Sequence, residues 1–293
     1  FAGRYDFENR NIAAISISVP REIIRYENEY HNLSAMGGVT HEFGKGWKAT
    51  YNIGYAARNP EVNELYSNGL HQGVSGIEEG DPNLNKEISV KNTLSIKGNI
   101  KNKLFVEGLF YYQKIDNYIF LNPQDEIRLT IRGAFPVFKY EQTDARLIGF
   151  DLAATYLATE RFNISCKYSY LIGYDLKNSL HLVYMPSNNL YAALNYQIPK
   201  FKKFQNVEFQ VNNRYIVKQK NLLSSQDFVA PPDSYYLLGI KVAAEKQLTK
   251  LRLTMFVRAE NLLNETYRDY LNRQRYFTDD LGFNLILGIN ISF

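Results

Sequence analysis

The residues best equipped for chemistry are gathered in one polar stretch, where His71 is followed closely by Glu78, Glu79 and Asp81. An imidazole among carboxylates suits a divalent metal ion or the axial position of a haem. The alternative is a surface histidine among acids that keep a loop soluble, because a metal site needs ligand geometry that spacing alone does not define. Tyr66, Tyr235 and Tyr276 carry rings that could stack on a planar ligand or serve as interfacial girdle residues. Arg214, Arg252, Arg258, Lys241 and Lys167 fall on polar faces of alternating segments. There they would draw in an anionic chelate, or pair with Glu208, Glu245 and Glu260. Ser67 lies near His71, but a nucleophile needs a rigid base and an oxyanion hole, and no Gly-x-Ser-x-Gly, phosphate-loop or His-Glu-x-x-His pattern occurs. The expectation is therefore no enzyme, no catalytic residue and no cofactor. Cys166 has no second cysteine to pair with and reads as an inert, packed thiol on the apolar side of its segment.

The elements that must hold these groups are strands. In 283–293, Phe283, Leu285, Leu287, Ile289, Ile291 and Phe293 fall on one side of an extended chain, with Asn284, Gly288, Asn290 and Ser292 on the other. The same alternation recurs in Trp47, Ala49, Tyr51, Ile53 and Tyr55, in Phe162, Ile164, Cys166, Tyr168 and Tyr170, and in Leu251, Leu253, Met255 and Val257. Charges confined to one face fit a wet interior, with the apolar face in lipid. No run of about twenty apolar residues offers a membrane-spanning helix, which leaves a barrel open as the membrane form. The 23 Tyr and 18 Phe suit strands and interfacial girdles. The net charge of +4 is small, and the Lys and Arg are scattered without an aromatic stacking motif, so nucleic acid is not an expected partner.

Connections alternate in length. Short links are expected at 43–46, 98–102, 158–161, 199–204 and 248–250, and long polar links at 8–32, 58–85, 122–144, 174–187, 218–233 and 266–280. Tight periplasmic turns and long outer loops give this pattern in up-and-down membrane barrels. Roughly twelve strands are expected, in one architectural unit. A complete barrel of that size would be a passive channel or an autotransporter-type translocator.

The segment from Arg58 through Pro60, Glu64 and Leu65, then Gly80, Asp81, Pro82, Leu84 and Glu87, resembles the long loop of TonB-dependent outer-membrane receptors. Their pattern there is an Arg-x-Pro…Glu-Leu element followed by Gly-(Asp/Asn)-Pro-x-Leu…Glu. Gly3 to Asp6 is similar to a mid-barrel strand of that family, and Glu260 to Tyr267 with Asp280 to Phe283 is similar to its carboxy-terminal end. The Gly-Arg-Asn often found there is Gly282, Phe283 and Asn284 here. The resemblance implies an all-β fold: an antiparallel up-and-down transmembrane β-barrel segment holding about 12 of about 22 strands. Residues 1–293 would then be the carboxy-terminal portion of the receptor barrel, with an amino-terminal plug and the first strands elsewhere. The setting it implies is the outer membrane of a Gram-negative bacterium. The implied partners are outer-membrane lipid, the plug and remaining strands, a small extracellular ligand and, through the missing part, the TonB energy-coupling complex. The implied function is active uptake of a scarce nutrient: an iron chelate or siderophore, haem or a metal. A histidine between the two loop elements occurs in haem receptors and some zinc receptors of the family, which makes His71 the metal candidate.

Overall fold

A computed structural model describes residues 1–15, 20–44, 46–248 and 251–292. The expected positions Lys45, Thr249, Lys250 and Phe293 lie outside the described residues. The strands are β1 (Ala2–Ile15), β2 (Ile23–Phe43), β3 (Trp47–Arg58), β4 (Asn68–His71), β5 (Gly76–Glu79), β6 (Glu87–Ile100), β7 (Leu104–Thr130) and β8 (Gly133–Leu157). They continue as β9 (Phe162–Asp175), β10 (Leu180–His181), β11 (Asn189–Phe201), β12 (Phe204–Ile216), β13 (Tyr235–Gln247), β14 (Arg252–Glu260) and β15 (Asn284–Ser292). One short helix, α1 (Val62–Tyr66), follows β3.

These form a 15-stranded sheet whose long members lie in the order β1-β2-β3-β6-β7-β8-β9-β11-β12-β13-β14-β15. Each pairs antiparallel with its neighbours, so the chain runs up and down. Among the described residues β1 and β15 do not pair with each other, and the sheet is open rather than a closed twelve-strand barrel.

Register fixes the facing. Val257 pairs with Leu287, Met255 with Ile289 and Leu253 with Ile291, so the alternation puts one continuous apolar face across the strands. That face is bare: Leu287 is 70% exposed and Ile289 69%. A soluble sandwich would cover it with a second layer. Cys166, expected to be packed, is exposed on this face, opposite Ala154 and Ala192. The packed apolar clusters lie at the long-loop end. One joins Leu65, Leu84 and Ile119, and another joins Ile115, Ala145 and Leu182.

The alternation of short and long links is as expected, but two of the long links are largely strand. β7 and β8 continue to Thr130 and from Gly133, and β1 and β2 cover most of 8–32. Above the membrane both faces of a hairpin meet water, so polarity there no longer marks where pairing stops. The β7–β8 extension is re-aimed by register shifts between Ile115 and Tyr118 and between Pro123 and Ile127.

Candidate functional site

The long connection between β3 and β6 is folded by its own charged residues. Glu61 and Glu64 form a capping box that starts α1. The Arg58 guanidinium then reaches both ends of the connection. It donates to Glu64 through Nη1 at 2.9 Å and Nη2 at 3.1 Å, and to Glu87 through Nε at 2.7 Å. This planar fork suits two carboxylates as a lysine could not. Gly80 makes the crossing possible, since a Cβ there would sit 2.5 Å from the backbone carbon of Leu65. Its N–H donates to Ser67 O at 2.7 Å, and the Asp81 N–H to Glu64 O at 2.9 Å. Leu65 and Leu84 pack on Ile119 beneath.

This fold carries β4 and β5 over to the β7–β8 hairpin. β5 runs parallel to the free edge of β8, pairing Ile77 with Val137 and Glu79 with Lys139. The sequence candidates then part company. His71 Nδ1 is 3.1 Å from Glu78 Oε1, and the same oxygen accepts from Arg273 Nη1 at 2.7 Å. Glu79 is taken up by Arg128 at 2.6 Å and Lys139 at 3.4 Å. Burial opposes its charge, yet the Arg128 hydrogen bond and the two cations together hold its carboxyl below the usual range. Asp81 caps its own turn, accepting from Asn83 N at 2.9 Å. The Tyr66 hydroxyl accepts from Asn28 at 2.8 Å, and its ring stacks on Tyr26. Among the described residues His71 thus has one bonded carboxylate, shared with an arginine. Among the described residues no group of three His, Cys, Asp or Glu side chains is placed to hold a metal. The His71 imidazole bonds Glu78 rather than Ser67.

Arg273 opens the larger assembly. A helical turn at Arg273–Tyr276 ties together four long-loop segments. Arg273 lies 4.4 Å over the Phe138 ring, and Gln274 donates to Gly73 O at 2.6 Å. Arg275 is buried against Asp227 and stacks on Tyr270 and Tyr276 at 4.9 and 4.6 Å. The Tyr276 hydroxyl donates to Asp227 at 2.6 Å and meets Tyr184 Oη at 2.8 Å. Phe228 sets its ring edge-on to Phe138 and Tyr276. Burial pushes the Tyr270 hydroxyl up to about 12 and raises those of Tyr184 and Tyr276 as well, with the Asp227 charge adding to each rise. Tyr235 is turned to Asp269 and the ring of Tyr267 instead.

The basic residues of the strands stand apart from this cluster on the polar face. Arg258 pairs with Glu260 at 3.2 Å and Lys241 with Glu208 at 3.2 Å, while Arg214 is exposed on β12 between Tyr191 and Leu237. Sequence reading missed Arg273, Arg275, Asp227, Tyr184 and Phe138. The available signal was Arg273, Arg275 and Tyr276 crowded into a loop otherwise rich in Asn and Asp.

The model of a family described as TonB dependent receptor-like, beta-barrel, matches residues 1–262. No curated protein matches the chain. Among solved structures, the copper transporter OprC aligns with a TM-score of 0.72 at 16% identity, over 91% of this chain and 40% of that one. The FrpB iron transporter from Neisseria meningitidis (F5-1 variant) aligns at 0.63 and 18% identity, over 98% and 42%. A mutant of the ferric enterobactin receptor PfeA from Pseudomonas aeruginosa aligns at 0.63 and 16% identity, over 98% and 44%. At these identities the likeness is one of fold, and the chain spans about two fifths of the length of the structures it matches.

Proposed function

This chain belongs to the TonB-dependent receptors, which sit in the outer membrane of Gram-negative bacteria, and on that premise we propose that it serves energy-coupled uptake of a scarce nutrient carried as an iron chelate. The family is one of transporters rather than enzymes. We take residues 1–293 as part of a larger barrel. The open sheet supports this, because β1 and β15 each carry a row of unpaired backbone groups that cannot be left bare in lipid. Further strands would pair with these edges, a plug would fill the polar interior, and the TonB complex would act on the plug.

The single observation that carries the ligand reading is the loop cluster around Arg273–Tyr276. It sets cationic and aromatic side chains from four loops together at the outer end of the sheet. An arginine-and-ring lining suits an anionic, planar chelate. A bare metal ion is the weaker reading, since His71 shares its one carboxylate with Arg273. Haem remains within the chelate class, as a flat dianion. The names of the similar structures, an iron transporter and a ferric enterobactin receptor, lend support to a chelate; the copper transporter points the other way.

Titration of the intact receptor with a ferric catecholate, with haem, and with zinc or copper ions tests this. We expect the chelate to bind and the Arg273→Ala variant to bind it at least ~10-fold more weakly, as for a lost charged hydrogen bond. Tight binding of a free ion that His71→Ala abolishes, with no chelate binding, would overturn the reading in favour of the metal site.

A further inference from the structure

The strand order decides which charges share an end of the sheet. The turns after β2, β6, β8, β11 and β13 lie together, and the long connections lie at the opposite end. The short-turn end is basic. Lys101 and Lys103 hold the turn after β6, Arg161 the turn after β8, and Lys202 and Lys203 the turn after β11, with Lys200 near the end of β11 itself. All six are exposed, and among the described residues none of them forms an ion pair. Acids at this rim are few. Glu42 is engaged by Lys48 at 3.6 Å, and Glu160 stands exposed beside Arg161. Glu245 lies level with Lys200 across Gln205 and accepts from Asn206, and Glu107 lies farther up its strand, bonded to Lys97. Cations that are far apart in sequence are gathered here because three of the short turns carry their own.

Aromatic side chains mark the same level. Phe43, Tyr156, Tyr196 and Phe201 are exposed at this end, and Lys202 Nζ lies 5.6 Å over the Phe201 ring. Rings of this kind sit where hydrocarbon meets headgroups, and a lysine just beyond them rests its stem on the apolar surface and its ammonium among the phosphates.

We propose that this rim binds the headgroups of anionic phospholipids in the periplasmic leaflet. The proposal rests on the short turns facing the periplasm and is independent of the cargo. Lipid is favoured over a soluble acidic partner by geometry. Turns this short hold the cations at the strand ends, level with the aromatic ring, and spread them along the sheet instead of focusing them in a cleft.

Native mass spectrometry of the intact receptor, with phosphatidylglycerol or phosphatidylcholine added at equal concentration, tests it. Phosphatidylglycerol should be retained in excess, and raised salt should erase the difference. Lys202→Gln with Lys203→Gln should lower that retention by roughly tenfold or more, from about fivefold per lysine at a membrane surface. Lys101→Gln with Lys103→Gln provides a second variant on a separate turn, and heat-modified gel mobility reports whether each barrel forms. Equal retention of the two lipids, or phosphatidylglycerol retention unchanged in both variants, would overturn the proposal. So would capture of polyglutamate that the variants weaken, without preference between the lipids, because the rim would then be a dock for a soluble acidic partner.

Discussion

Replacing Arg58 with methionine should release the loop between β3 and β6 without disturbing the strands below. Among the described residues the guanidinium is the sole counter-charge bonded to Glu64 and Glu87, whose side chains are only 13% and 12% exposed. Methionine keeps much of the stem volume and removes the fork, leaving two nearly buried carboxylates facing each other. Breaking a buried pair from one side costs about 3–5 kcal/mol. Arg58 itself is 40% exposed, so solvent screening places the loss toward the low end, near ~3 kcal/mol. At 1.4 kcal/mol per decade, local opening becomes roughly 10²-fold more frequent. Hydrogen exchange of the intact receptor reads this directly. The amides of Gly80 and Asp81, which donate to Ser67 and Glu64, should lose protection by that factor, while those of β6 and β7 keep theirs. Adding Glu64→Gln and Glu87→Gln to the Arg58→Met variant should restore much of the protection, because neutral amides no longer repel. Unchanged exchange at Gly80 and Asp81 in the single variant would refute the clamp, and so would a triple variant that opens further.

Gly80→Ala should open the same crossing sterically, since its Cβ would meet Leu65 backbone at 2.5 Å, at a cost of about 1–3 kcal/mol; limited proteolysis within 59–86 should quicken while the barrel persists. Glu79 gives a pH dependence: its folded pKa lies below the ordinary value of 4.5, so its share of β5 docking is present above about pH 4.5 and is lost as the pH falls through the lower folded value. Exchange at β5 amides should rise in acid, and Arg128→Gln should flatten that rise. The tyrosine cluster behaves oppositely in base. The folded pKa of Tyr270 is raised from 10.0 to about 12, so its contribution is complete below about pH 10 and vanishes as the pH climbs through 12; tyrosinate absorbance should show this phenol ionising late, and later still in Arg275→Met, which removes a cation that favours the phenolate. Finally, Arg273→Ala should uncouple the 59–86 and 261–283 loops. Spin labels at Gly73→Cys and Phe277→Cys, in a Cys166→Ser background, should show a broadened distance distribution.

Strand identity was legible because the side-chain period of two survives any register, and lipid forces it to be nearly free of exceptions. Val211 facing Leu194 and Ile240 is an example: each belongs to an apolar alternation that can be read alone. Loop structure was less legible. The stretch 122–144 reads as a polar link, yet β7 and β8 stay paired through it to Thr130, because outside the membrane the alternation no longer has to separate oil from water. His71 with Glu78 could be guessed from proximity along the chain. Arg273 on Glu78 could not, since the two are brought together only when the last long loop folds across the β3–β6 connection.

The residues that carry the family resemblance have little to do with cargo. Arg58, Glu64, Leu65, Gly80, Leu84 and Glu87 are consumed by a clamp, a close backbone crossing and a small apolar core. Their chemistry is inward-facing and already satisfied, so it leaves few donors for a ligand. The groups with chemistry to spare are the guanidinium nitrogens of Arg273 and Arg275, buried and, among the described residues, without hydrogen-bond partners at Nε of both, Nη2 of Arg273 and Nη1 of Arg275. Buried charged donors left unmet are costly unless water or a ligand reaches them. A pattern shared across receptors of differing cargo would be expected to fix the loop base. Discrimination would fall to residues such as these, on loops whose sequence is free to vary over a constant barrel. It follows that swapping the Arg273–Tyr276 turn between two receptors should move ligand preference with the turn, whereas swapping the Arg58 clamp should move only loop stability.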